Sequence, residues 1–297
     1  MALQSKLFDW YLAGERRVAS LKRKRLNMQE GDMVYLEGGQ GPTVVLLHGF
    51  GADKDTWNKF ARHLTKRFHV VAIDIPGFGE SYSPSEGFDI ASQARRIEAF
   101  LLSQRLRNIT LIGNSYGGYI TALLSQWLSA RLDHCVLISP LGVKNAGISS
   151  VFKEVLEGMP PLLLPQDMQA FSQLLKRCFH SQPFLPKFAR QQLLNRNLAV
   201  SHVHENVFFQ THLIKHGTLD FDYPLEEILM ETKIPTHVLW GEYDQILMPD
   251  GLTVLDRLAN PNITTQVLMN VGHLPQLECP KTLSTFIIRF IQETSFA

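Results

Sequence analysis

Ile109-Thr110-Leu111-Ile112-Gly113-Asn114-Ser115-Tyr116-Gly117-Gly118 is the stretch on which the reading of this chain turns. Ile109 to Ile112 reads as a buried strand, and the apolar residues from Tyr119 to Leu128 read as a helix. A serine between Gly113 and Gly117 at such a strand-to-helix junction sits on a sharp turn that lifts its hydroxyl out of the sheet. Glycine at both flanks removes side chains that would collide there. A serine hydroxyl is a weak nucleophile near neutral pH. Ser115 as a nucleophile therefore needs a base close by, and a carboxylate to hold that base in the right tautomer.

Strands and helices alternate on both sides of this turn. Thr43 to His48, Phe68 to Ile73 and Cys135 to Ile138 are apolar runs, with helical patterns at Asp55 to Leu64 and Ile90 to Leu101 between them. Ile75-Pro76-Gly77-Phe78-Gly79 forces a turn after the second run. This alternation predicts an α/β fold, a mostly parallel sheet flanked by helices. It stops between Leu141 and Asp222, where apolar helical text divided by Pro160, Pro161, Pro165, Pro183 and Pro186 contains no convincing strand. Strand character returns at Thr236 to Trp240 and Thr264 to Met269. The organisation expected is an N-terminal helix over 1–20, a core of 21–140 and 223–297, and a helical insertion of 141–222 over the carboxyl edge of the sheet.

Open α/β sheets gather their ligands at the carboxyl ends of strands, so the partners of Ser115 are sought there. Asp244 follows one late strand in Trp240-Gly241-Glu242-Tyr243-Asp244. His273 follows the last in Asn270-Val271-Gly272-His273-Leu274-Pro275, a placement that distinguishes it among eleven histidines. Glu242 and Asp250 are rivals of Asp244 for the acid. An oxyanion formed by attack needs aligned donors, each worth on the order of 3 kcal/mol. The backbone N–H groups of Tyr116, directly after the serine, and of Phe50, in His48-Gly49-Phe50-Gly51, stand where such donors are required. His48 reads as a structural residue of that loop rather than a second base.

A length of 297 residues allows a large core, and a formal net charge of +1 gives no reason to expect nucleic acid. Cys135, Cys178 and Cys279 are far apart and odd in number, which suggests neither a zinc site nor a disulfide framework and fits a reducing, cytoplasmic setting. No stretch approaches the roughly 18 uninterrupted apolar residues of a membrane span. Leu7 to Leu12 is too short, and its basic residues lie on the wrong side, for a secretory signal. Leu3, Leu7, Trp10, Tyr11 and Val18 share one face of a predicted helix ending near residue 19, with Gly14 on the same face. That face either packs on the body of the protein or lies peripherally on a membrane, with Arg16, Arg17 and Lys22 to Arg25 toward anionic headgroups. Pairing of Leu21–Gln29 with Met33–Glu37 across the turn Glu30-Gly31-Asp32 weighs against the second.

These motifs resemble those of the α/β-hydrolase family over nearly the whole chain beyond residue 30. His48-Gly49-Phe50-Gly51, Asp74-Ile75-Pro76-Gly77-Phe78-Gly79-Glu80-Ser81, the Ser115 turn, Gly241-Glu242-Tyr243-Asp244 and Gly272-His273 stand in family order. His48 to Trp57, reading HGFGADKDTW, is similar to bacterial lipases and membrane-associated monoacylglycerol lipases, and the basic helical N-terminus resembles the segment preceding the core in that group. The resemblance implies an α/β-hydrolase fold, a Ser115–Asp244–His273 triad, Phe50 and Tyr116 as oxyanion donors, and a helical lid over 141–222. The Leu and Phe content of that lid argues for a small-molecule carboxylic ester with an apolar acyl or alcohol group as substrate, and the triad chemistry requires neither metal nor cofactor. Haloalkane dehalogenases and epoxide hydrolases of the family use Asp where this chain has Ser115. Carbon–carbon hydrolases of ring-fission products share Ser-Asp-His and often carry Asn before the nucleophile, as Asn114 is here, but commonly have Trp where this chain has Leu274. Acyl transfer or perhydrolysis on the same triad is a further alternative. A non-catalytic binding module is disfavoured because every catalytic position is filled.

Overall fold

The apolar runs become the middle of one sheet. The computed structural model describes residues 2–215 and 218–294, with strands β1 (Leu21–Met28), β2 (Gly31–Gly38), β3 (Thr43–Leu47), β4 (His69–Ile73), β5 (Ile109–Asn114), β6 (Leu132–Ile138), β7 (Leu213–Lys215), β8 (Thr218–Asp220), β9 (Thr236–Gly241) and β10 (Ile263–Leu268). Eight of them form a sheet in the order β1-β2-β4-β3-β5-β6-β9-β10. β2 runs antiparallel to β1 and β4, and all other neighbours are parallel. Val44 and Leu46 of β3 face one layer while Val45 and Leu47 face the other, so both faces are buried and the strand reads as a continuous apolar run.

Helices cover both faces. The chain begins with α1 (Ala2–Val18), α2 (Asn58–Leu64), α3 (Ile90–Ser103) and α4 (Tyr116–Trp127). Between β6 and β9 stand α5 (Ser150–Leu156), α6 (Met168–Cys178), α7 (Lys187–Ala199) and α8 (Ser201–Thr211), followed by α9 (Leu225–Met230), α10 (Asp250–Asp256), α11 (Pro275–Glu278) and α12 (Pro280–Thr294). Ile97 of α3, Ile120 of α4 and Leu255 of α10 pack on one face of the sheet. Phe60 of α2 and Ile287 of α12 pack on the other. Asp89 caps α3 by accepting from the Ser92 N–H, and Asp167 caps α6 by accepting from the Ala170 N–H. Among the described residues no helix is long and apolar enough to cross a membrane.

Three expectations are corrected. Residues 141–222 contain a strand pair, β7 with β8, in addition to helices; at three residues each, these strands are too short to leave an alternating pattern. The β1–β2 turn is Gln29-Glu30, with Met28 paired to Gly31, because a two-residue loop follows the twist of the pair better than the turn centred on Gly31. In α1 the packed face only partly matches the one read from the sequence: Tyr11 packs toward α7, the side chain of Leu3 lies outside the described residues, and the rest of that face is turned out. Phe8 and Leu12 are buried against Ala189 and Leu193 of α7, whereas Leu7, Trp10 and Val18 are exposed. The basic residues assigned to lipid headgroups are largely engaged within the chain: Arg16 with Asp55, Arg23 with Glu80, Lys24 with Glu37 and Arg25 with Asp32.

Candidate active site

β5 ends in a backbone that only its neighbours can hold. Ser115 has φ 54° and ψ −114°, a strained conformation worth about 1–3 kcal/mol. A Cβ at Gly113 would stand 2.1 Å from the Gly117 carbonyl oxygen, and one at Gly117 would stand 2.4 Å from the Leu47 oxygen. Both glycines are therefore demanded by the close approach of β3, β5 and α4. Gly49 brings the next loop close, though less tightly, since its Cβ would lie 3.3 Å from the Ser115 Cβ. Tyr116 opens α4, and the first-turn amides of a helix have no intrahelical acceptor.

His273 and Asp244 meet from the ends of β10 and β9. Nδ1 of His273 lies 2.7 Å from Oδ2 of Asp244, and both side chains are buried. The other oxygen of Asp244 accepts the N–H groups of Ile246 at 2.9 Å and Leu247 at 3.0 Å, which fixes the carboxylate plane. A carboxylate on Nδ1 leaves Nε2 as the nitrogen free to act as a base. The rival acids are turned elsewhere: Glu242 accepts from the Asn270 N–H, and Asp250 from the Gly147 N–H. Ser115 and His273 line one cavity of about 230 Å³, walled by Phe8 and Leu12 of α1 and by Phe152, Leu163 and Phe171 of the insertion.

Two residues noted in the sequence outside the triad, Asn114 and His48, support the site by polar contacts that spacing did not show. Asn114 is fully buried and donates through Nδ2 to the carbonyls of Ile138 (3.1 Å) and His273 (3.2 Å), while its oxygen accepts from Gln276 Nε2 (3.0 Å). It thereby joins the serine strand to the histidine loop. Both ring nitrogens of His48 are taken by backbone, Nδ1 with the Gly49 carbonyl and Nε2 accepting from the Ile75 N–H. Burial pushes its pKa down to about 4.

Below the Phe50 loop lies a buried charge cluster. Nζ of Lys54 bonds Asp74 at 2.8 Å and Glu80 at 2.7 Å, and the Lys54 N–H donates to Asp74 at 2.7 Å. Burial alone would lower the pKa of Lys54, but Asp74, Asp53, Asp55 and Glu80 outweigh it and raise it. Burial opposes ionisation of Glu80 too, yet Arg23 and Lys54 hold its pKa at about 2. Arg16 of α1 donates two bonds to Asp55, at 2.6 and 2.5 Å, directly beyond the loop. The HGFGADKDTW run contained Lys54 and Asp55, but their partners lie too far along the chain for spacing to find.

Above the loop, α8 lowers a roof of rings. His204 stacks on Phe78 at 4.6 Å between centroids, Phe208 lies 5.9 Å from Phe50, and His212 stacks on Phe208 at 4.4 Å. Burial pushes His204 and His212 each down to a pKa of about 4. Neutral rings here keep the cavity apolar.

Comparison with known proteins places this arrangement. A sequence family described as the alpha/beta hydrolase fold matches residues 42–280. Lipase 1 of Psychrobacter immobilis is 30% identical over 275 residues, covering 89% of this chain and 82% of its own. Monoacylglycerol lipase ABHD6 of Mus musculus is 25% identical, covering 96% of this chain and 86% of its own. A solved structure of a membrane phospholipase A, described as a bacterial virulence factor, has a TM-score of 0.91 at 33% identity, covering 99% of this chain and 93% of its own.

Proposed function

The chain belongs to the α/β hydrolase fold family, and from that premise we propose that it hydrolyses carboxylic esters of lipids through an acyl-enzyme on Ser115. The observation that carries the reading is the His273–Asp244 bond of 2.7 Å in the cavity that Ser115 lines. Neutral His273 takes the Ser115 proton on Nε2 as Oγ bonds the ester carbonyl carbon. The oxyanion so formed is met by the N–H groups of Phe50 and Tyr116, and Asp244 stabilises the imidazolium. Collapse breaks the carbon–oxygen bond, and the departing alcohol takes the proton from His273. Water then gives a proton to His273 as its oxygen bonds the acyl carbon; collapse breaks the bond from that carbon to Oγ, His273 returns the proton to Oγ, and the carboxylic acid leaves with Ser115 restored.

The apolar cavity walls and the relatives named lipase, monoacylglycerol lipase and phospholipase A support an acyl lipid as substrate. Residues 141–222 serve as its lid. Phe184 is 86% exposed yet also lines the cavity, and Trp10 on α1 is 83% exposed. This edge is the one through which a lipid aggregate is contacted, a peripheral attachment suited to interfacial aromatic rings. The three unpaired thiols support a reducing, cytoplasmic setting.

The test is Ser115→Ala against a panel of acyl esters of graded length, monoacylglycerols and a ring-fission product. Loss of ester turnover by at least about 10³-fold is expected. Retained turnover would reject the nucleophile, and a wild-type preference for the ring-fission product would reject the ester reading.

A further inference from the structure

The loop that carries His273 is fastened to the insertion by a side chain for which the proposed chemistry has no use. Glu278 ends α11, five residues beyond His273. Its carboxylate accepts three backbone N–H groups, one from the nearby His273 loop and two from a segment nearly a hundred residues away. Oε2 takes Gly272 at 3.0 Å and His180 at 3.3 Å, and Oε1 takes Ser181 at 2.7 Å. Beside this clamp, the N–H of His273 itself donates to the carbonyl of Cys178, the last residue of α6, at 2.8 Å. The two segments touch so closely that a Cβ at Gly272 would stand 2.7 Å from both the Cys178 oxygen and the His180 nitrogen.

The same insertion segment also holds the acid loop. His180 stacks on Tyr243 at 4.2 Å between centroids, and Arg177 Nη1 donates to Gln245 Oε1 at 3.1 Å. Asp244 lies between those two contacts. On its other side the His273 backbone is held by Asn114 Nδ2 on its carbonyl. Residues 177–181 thus form one wall of the frame in which the imidazole and its carboxylate sit. General-base catalysis tolerates misplacement of only roughly 0.5 Å and 10–20°.

We propose that Glu278 is a positioning residue for His273: it clamps residues 178–181 of the insertion onto Gly272, so the imidazole is correctly aimed only while this part of the insertion is seated. The proposal rests on the reading of Ser115, His273 and Asp244 as a triad. Glu278 stands outside the cavity lining and acts through main chain alone. The insertion therefore cannot move as one flap. Its first half belongs to the triad's frame, and any opening that admits substrate must occur elsewhere along it.

The experiment compares the full chain with Glu278→Ala, Glu278→Gln and Ser115→Ala. It measures kcat and KM on a soluble short-chain aryl ester, the rate of Ser115 labelling by a fluorophosphonate, and Tm, with all kinetics run well below each Tm. Loss of the clamp in Glu278→Ala should lower kcat and the labelling rate by about 10- to 100-fold, as expected for a displaced catalytic group. KM should stay within about twofold, since ground-state binding is untouched. Glu278→Gln keeps one acceptor oxygen and should fall between Ala and wild type. If Glu278→Ala does not fold, Glu278→Gln decides alone: lower kcat at unchanged KM supports the clamp. Wild-type kcat and labelling in a folded Glu278 variant, or a change confined to KM or Tm, overturns it. If Ser115→Ala remains active, the triad reading itself has failed. If Ser115→Ala is inert while Glu278→Ala works at the wild-type rate, only the clamp has failed.

Discussion

The loop carrying Phe50 and the insertion opposite it face each other across one cavity and are held by opposite means. Beneath the loop, Lys54, Asp74, Glu80, Asp55 and Arg16 form a charge cluster centred on a lysine with no solvent exposure. Beyond the polar contacts at residues 177–181, the insertion leans on rings, His204 and Phe208 against Phe50 and Phe78 with Phe152 and His212 stacked on Phe208, and on the apolar contact of α7 with α1. A cluster of buried charges has one low-energy arrangement, because any displacement strands an ion. Stacked rings and half-buried leucines have several arrangements of similar energy. Under the proposed function the difference matches the tasks: donors for an oxyanion must be fixed before reaction, while a wall facing acyl chains must adapt.

Removing the central charge is the most severe way to test this contrast. Lys54→Met leaves Asp74 buried without its counter-ion and should destabilise the fold by about 3–5 kcal/mol in urea unfolding. A loss of similar size from Leu174→Ala, half-buried in the insertion, would erase the contrast.

Acid provides a graded test. His48, His204 and His212 each bind a proton in the unfolded chain below about pH 6.5 but not in the folded state until about pH 4. Stability should therefore fall as pH drops from 6.5 to 4, by at most about 1.4 kcal/mol per pH unit for each group. Glu80 works lower: its folded pKa of about 2 gives stability that is complete above about pH 4.5 and is lost as pH falls toward 2. His212→Phe keeps a ring against Phe152 and Phe208 and should flatten only the upper window, while Glu80→Gln should flatten only the lower. Unfolding curves at half-unit pH intervals read both slopes, and a single window shared by both variants would contradict the separation.

The smallest expected effect on stability lies at the exposed rim. Phe184→Ser combined with Trp10→Ser should change unfolding free energy by no more than about 0.5 kcal/mol per site. Sedimentation with liposomes should nevertheless fall for this double variant. Equal sedimentation with and without the two rings would remove the membrane contact.

Much of the sheet and of the candidate site was legible because both are written in local patterns. β5 and β9 are runs buried on both faces and lead to Ser115 and Asp244, whereas His273 follows the half-exposed edge strand β10, marked by its place after the last strand rather than by a buried run. The packed face of α1 was only partly legible. Phe8 and Leu12 form one apolar stripe, and Leu7, Trp10 and Val18 a second that overlaps it. Only Ala189 and Leu193 of α7 decide between them. Strands of three residues, β7 and β8, carry too few side chains to show a period. The polar frame was equally hidden. Lys54 meets Asp74, Asn114 meets Gln276, and Glu278 meets Ser181, pairings set by tertiary approach rather than by spacing.

α1 has one more consequence, for how the molecule can be divided. The family match begins at residue 42, yet Phe8, Tyr11 and Leu12 wall the cavity and Arg16 neutralises the buried Asp55 just after the Phe50 loop. A fragment cut at the family boundary would keep Ser115, Asp244 and His273 and still open a hole in the cavity wall and deprive the buried Asp55 of its two-pronged guanidinium partner. The smallest autonomous catalyst is accordingly longer than the unit that family relationship marks out, and grafting or minimising this enzyme must carry its first helix along.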